Sequence, residues 1–235
     1  MLHYHGTPIT PKESLLTMAG KHFCVSYGTT ARNDADTVMA IGQSIMWDNG
    51  AFSVYNAGKK PDWLGFYRWL EPRLGHPHWA VVPDVIGGDV DAQRNLISQW
   101  PHTRSLSAPV WHMGMPVDYL LELVDGGWGK ICFGSSAEYW SVGSPSWESR
   151  CDEAFNALAK SGPLPWVHML RGLSTTGKRW PFASADSCSV AIHTVGNGTR
   201  PHAEMEMVAR SIDAVQTPIR WQQRPVQINF GEMIA

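Results

Sequence analysis

The sequence predicts an α/β protein folded as a compact, single-domain (β/α)8 (TIM) barrel, and three observations carry that expectation. Apolar runs of strand length alternate with segments of helical apolar spacing almost from end to end. Eight strand candidates occur, and strand–helix alternation favours parallel pairing. Three of the eight runs end in an aspartate, at the strand ends where barrel enzymes keep their chemistry. A doubly wound open sheet is the alternative arrangement. The expected division is a barrel over residues 1–217 and a C-terminal tail over 218–235 packed on or near it.

Taken in order, Leu2 to Thr7 is the first strand, and Pro11 to Met18 a short helix ended by Gly20. His22 to Tyr27 is the second strand, after which Asn33 is a plausible N-cap for a helix toward Ile41. Ile45 to Phe52 is the third. It holds Asp48 ahead of Gly50, whose freedom at positive φ lets the backbone come close to a ligand. Asp62 to Leu74 carries Trp63, Leu64, Phe66, Tyr67 and Leu70 at helical spacing, with Gly75 closing the helix. His78 to Asp84 is the fourth strand and Asp89 to Trp100 its helix.

Ala108 to Gly114 is strand five, followed by a helix from Val117 to Val124. Lys130 to Ser136 is strand six, followed by a helix from about Ser146 to Lys160. Pro165 to Leu173 is strand seven, with only a short connection through Lys178. Phe182 to Val190 is strand eight, and Ala203 to Val215 the last helix.

Composition narrows the function classes. A net charge of −2 announces no global basic field for nucleic acid, although a local basic patch stays open. Cys24, Cys132, Cys151 and Cys188 are far apart, without CxxC or Cys/His ligand spacing, so reduced buried thiols are expected, with neither zinc nor another cofactor. Twelve Trp offer flat surfaces, some for stacking on bases and most for covering helix faces. The N-terminus has no secretory pattern and no apolar run reaches membrane length, so a soluble cytoplasmic protein is expected. A homo-oligomer is compatible with all of this.

A lone aspartate at a strand end is ordinarily a cap or turn former. Asp48, Asp84 and Asp186, all ending apolar strands, are harder to assign to chance. Carboxylates gathered in one pocket split into different protonation states, which acid–base and nucleophilic roles require. The spacing alone leaves a glycosidase pair, a metal site and a nucleobase site open. A hard-metal site would need more ligands than His112 adds.

The segment Trp47-Asp48-Asn49-Gly50-Ala51-Phe52 resembles the Asp-Ser-Gly-Gly-aromatic segment of the tRNA-guanine transglycosylase superfamily. His168-Met169-Leu170-Arg171-Gly172-Leu173 through Ala185-Asp186-Ser187-Cys188 resembles that family's closing pair of strands, the second of which carries the nucleophile. Val110 to Gly114 and Cys132 to Ser135 fall, in the right order, where the family reads the base. The resemblance spans about residues 44 to 190. Neither a Cys-x-Cys-x-x-Cys zinc subdomain nor an appended RNA-binding domain follows, which places the chain nearer the phage-type branch that inserts 7-deazaguanine bases into DNA. His112 stands where the family usually has Gln, and Arg171 where it often has Met.

The resemblance implies a pentosyltransferase that replaces guanine in DNA with a 7-deazaguanine such as 7-cyano-7-deazaguanine, in the host cytoplasm if phage-encoded. It makes Asp186 the nucleophile and Asp48 the proton carrier. Asp84 becomes the acceptor for the base's N1–H and amine, His112 and the Gly134 amide the donors to its O6 side, and Phe52 a stacking platform. Ser135, Arg171 and Gly172 complete the expected substrate-binding set. Lys59, Lys60, Arg171, Lys178 and Arg179 are candidates for holding phosphates. Three alternatives stay open: the same exchange on tRNA, a nucleoside or glycoside hydrolase on the same barrel, and a non-catalytic nucleobase-binding protein.

Overall fold

The structure, a computed structural model, describes residues 1–192 and 202–224. Its elements run β1 (Leu2–Gly6), α1 (Lys12–Leu16), β2 (His22–Ser26), α2 (Ala35–Ile41), β3 (Ser44–Asp48), α3 (Ala51–Asn56), α4 (Trp63–Leu70) and β4 (Trp79–Val81). They continue with α5 (Val90–Ser98), β5 (Ser107–Ala108), β6 (Val110–His112), α6 (Val117–Asp125), β7 (Lys130–Gly134), α7 (Pro145–Ser161), β8 (Trp166–Met169), β9 (Ser184–Ser187) and α8 (His202–Asp213).

The strands form one sheet in the order β5-β4-β3-β2-β1-β9-β8-β7-β6, and every pairing is parallel. The two end strands are consecutive in the chain, with only Pro109 between them. Proline has no N–H to give a ladder, so the strand is interrupted there. On one side of this segment Val82 N–H donates to the Ala108 carbonyl, and on the other Cys132 N–H donates to the Pro109 carbonyl. The sheet therefore curls into a nearly closed, barrel-like wall.

Alternation along the strands sorts side chains to two faces. Tyr4, Cys24, Met46, Trp79, Val81, Val110 and Cys132 meet inside the wall. Phe23, Val25, Ile45 and Trp47 point outward against α1, α2 and α4. Trp111, Ile131, Phe133 and Val167 point outward against α6 and α7. At the N-terminal mouth, Tyr4 Oη accepts hydrogen bonds from the Ser44 hydroxyl (3.2 Å) and the Trp79 indole N–H (2.9 Å). The rings of Tyr4, Trp79 and His168 pack edge to face at 5.3–5.9 Å. This aromatic plug closes one end of the interior and leaves the other for a site.

Several elements differ from the sequence reading. The third strand stops at Asp48, and Phe52 belongs to α3, a helix that Gly50 opens at φ 77°. Asn33 caps nothing: Thr29 caps a 3-10 turn over Thr30–Asp34 by accepting from Ala31 N–H, and α2 begins after it. Asp84 lies past the end of β4, in the loop. Between β8 and β9 there is a single 3-10 turn, Leu173–Thr175. Of the tail, Trp221 docks on α7, its indole N–H donating to Asn156 Oδ1 (2.9 Å) and its ring 5.5 Å from Phe155. The remainder, 225–235, lies outside the described residues. Among the described residues no helix is long and apolar enough to cross a membrane.

Candidate active site

The C-terminal ends of the strands open into a cavity of about 450 Å³, a size suited to a small organic ligand. Asp48, Asp84 and Asp186 all line it, as do His112, Gly134, Ser135, Phe52 and Arg171. Gly172 does not. A Cβ there would fall 2.4 Å from Met169 Cγ, so this glycine serves a tight backbone turn rather than the ligand space.

Asp186 is held through one of its two oxygens. Its Oδ1 accepts from the backbone N–H of Arg171 at 2.8 Å and faces His168 Nε2 at 3.2 Å. His168 Nδ1 lies 2.8 Å from Ser184 Oγ, which in turn accepts the Trp166 indole N–H at 2.8 Å. An indole can only donate, so the Ser184 proton is free to go to Nδ1, which leaves Nε2–H to donate to Asp186. Among the described residues Oδ2 of Asp186 accepts no hydrogen bond, and Asp186 lines the cavity.

Asp84 is gripped at both oxygens: Asn49 Nδ2 donates to Oδ1 at 2.8 Å, and His112 Nε2 meets Oδ2 at 2.9 Å. Asn49 also donates to the Val82 carbonyl and accepts from Ala51 N–H, stapling the loop after β4 to the start of α3. Each Asp84 oxygen keeps a lone pair for a second donor. His112 donates Nε2–H to Asp84, which leaves Nδ1 of the neutral imidazole without a proton, an acceptor and not the donor to a base that the sequence suggests. A Cβ on Gly134 would come 3.0 Å from that Nδ1, which makes Gly134 a spacer for the imidazole. Ser135 accepts the Trp147 indole N–H at 3.0 Å and retains its own proton to donate.

Asp48, at the end of β3, is pushed up to about 6, chiefly by burial and further by the charges of Asp186 and Asp84. The Ser26 hydroxyl and the Gly50 N–H favour its anion but do not offset the burial. Burial, and then the Asp186 charge, also raise the Cys24 and Cys132 thiols well above the ordinary range, so both stay protonated and unreactive.

At the mouth, Arg171 adopts φ 56°, a left-handed conformation rare for a residue with a side chain. That backbone aims its N–H at Asp186. Its guanidinium lies 4.5 Å from the Phe52 ring centroid and 4.7 Å from that of Trp140. One face of Phe52 is thus covered by an arginine, not open to a base as the sequence reading expected. Lys178 pairs with Glu148, and Arg179 with Glu148 and Asp152, on α7. Lys59 and Lys60 line a separate groove.

His168, Asn49, Trp140 and Ser26 escaped the sequence reading as site residues. Among the described residues no group of three His, Cys, Asp or Glu side chains is placed to hold a metal ion. In comparisons with known proteins the chain matches no family model, no curated protein and no solved structure. The cavity's chemistry must therefore be read from its own atoms: a free carboxylate oxygen, a carboxyl titrating near 6, and a fixed acceptor pair.

Proposed function

We propose that this protein is a base-exchange glycosyltransferase of the tRNA-guanine transglycosylase superfamily, of the phage-type branch that exchanges guanine in DNA for a 7-deazaguanine. On this reading the sheet is a (β/α)8 barrel in which β5 and β6 are one strand interrupted at Pro109. The observation that carries it is the meeting of Asp48, Asp84 and Asp186 around one cavity of about 450 Å³, each in a different hydrogen-bonding environment.

Asp186 Oδ2 attacks C1′ of the target nucleotide. A C1′–O bond forms as the C1′–N9 bond breaks, and the departing guanine keeps the electron pair and takes a proton from Asp48. The sugar centre passes through the oxocarbenium-like state that retaining glycosidases also meet with a carboxylate. An incoming 7-deazaguanine then loses its N9 proton to Asp48 and bonds C1′, returning the electron pair to Asp186. Two inversions retain configuration, and the phosphodiester chain is never cut. Asp84 accepts the N1–H and exocyclic amine of the base, a fork adenine cannot present. Reaching the cavity from a duplex requires the nucleotide to leave the stack, at a cost of a few kcal/mol.

The test is incubation with guanine-containing DNA and labelled 7-cyano-7-deazaguanine, with tRNA in a parallel arm. Label entering DNA with wild type and not with Asp186→Asn is the expected result. Label entering only tRNA would move the substrate, abasic sites formed without an incoming base would make the protein a hydrolase, and no reaction with either polymer would overturn the proposal.

A further inference from the structure

Beside the catalytic cavity lies a second groove of about 400 Å³, bordered by Tyr27, Arg32, Lys59, Lys60 and Trp63. Thr29 and Asn49 line both spaces, so the two adjoin at these residues. Each of these residues is preceded or followed by a glycine, Gly28 before Thr29 and Gly50 after Asn49. A Cβ on Gly28 would meet the Gly50 carbonyl at 2.8 Å, and one on Gly50 would meet Gly28 N at 2.4 Å. The loops after β2 and β3 therefore touch backbone to backbone, and nothing wider fits between them.

The charge of this groove opposes that of the cavity. Arg32, Lys59 and Lys60 are exposed and make no ion pair among the described residues, while Arg32 lies 5.6 Å over the Tyr27 ring. Asp62, the acid present, is turned to other work: its carboxylate caps α4 through Gly65 N–H (2.9 Å) and accepts from Tyr27 Oη (3.2 Å). On a chain of net charge −2, three unpaired cations with two aromatic rings in one groove form a local anion-attracting surface. Cations that track phosphates, interleaved with rings that accept bases, are what single-stranded nucleic acid requires.

We propose that this groove carries the DNA strand flanking the target nucleotide, with Arg32, Lys59 and Lys60 on its phosphates and Trp63 beside its bases, while Tyr27, packed against Phe66, Trp69 and Arg32, forms the groove wall. The inference rests on the base-exchange reading and adds the path the polymer takes from the cavity. The strand passes over the border at Thr29 and Asn49, and the target nucleotide drops into the acidic cavity alone.

The test measures binding of a fluorescent single-stranded DNA by anisotropy, across a salt series, for wild type, Lys59→Glu/Lys60→Glu and a control. The control, Arg68→Glu/Lys160→Glu, makes the same charge change at exposed helix positions outside both spaces. The expected result is at least about tenfold weaker binding for the groove variant, with the slope of log affinity against log salt reduced by about 1.4 for two lost phosphate contacts. The control keeps wild-type affinity to within about twofold. Equal weakening in both double variants would reduce the effect to net charge and overturn the path, as would wild-type binding by Lys59→Glu/Lys60→Glu. Label exchange by wild type is followed in the same samples. Exchange that persists while the groove variant binds normally would sink the path and leave the base-exchange reading intact. Loss of exchange in wild type would sink that reading, and the path with it.

Discussion

Asp48 shows how one residue's surroundings set its task. Its value in the folded protein, about 6, lies above the 3.8 of a free side chain because burial penalises the anion. The sign follows directly: the folded state binds the proton more tightly, so ionising Asp48 costs folding stability. That cost is absent below about pH 4, develops between about 4 and 6, and is complete above 6. Asp48→Asn is therefore expected to stabilise the protein by on the order of 2 kcal/mol at neutral pH and by little at pH 4, as urea unfolding at the two pH values would record. For the proposed exchange, kcat/KM should bend near pH 6 in wild type. A profile flat from about pH 5 to 8 would remove Asp48 from proton transfer.

The three aspartates were legible because an acid closing an apolar run stands out against the strand pattern. His168 was not. Its importance depends on β8 pairing β9 with His168 opposite Ser184, a register set by long-range contacts and invisible in local spacing. Nor could spacing show that Arg171 would adopt φ 56° and offer its backbone N–H, not only its charge, to Asp186.

Among the elements, the Asp48–Ala51 corner decides most. Ala51 and Phe52 read as the end of the strand that begins at Ile45, yet they open α3. The turn overrides the pattern: Asn49 accepts from Ala51 N–H, and Gly50 at φ 77° redirects the chain. Gly50→Ala would add both left-handed strain and a Cβ within 2.5 Å of Gly28 backbone atoms. A loss of about 2–4 kcal/mol in urea unfolding is expected. A loss below about 0.5 kcal/mol would mean that the two loops are not clamped as described. The same corner places Phe52 on α3 and against Arg171, which covers one face of its ring.

For the whole molecule, strand–helix alternation was enough to foresee a parallel α/β wall, because apolar periodicity records burial directly. Its closure was less legible. Pro109 looks like an ordinary strand residue in the sequence, but it splits one segment into β5 and β6, which occupy the two ends of the sheet order. Curling the sheet gathers strand ends from across the chain into a single mouth, and with them acids separated by up to 138 positions, Asp48 to Asp186. The most direct measurement on that convergence is intact-protein mass spectrometry after mixing with a guanine-containing oligonucleotide and quenching in denaturant without an incoming base. The account predicts a species with the mass of protein plus oligonucleotide minus guanine, its attachment mapping to the peptide that contains Asp186. An oligonucleotide that loses guanine with no such species, or an adduct mapping to another residue, would contradict it.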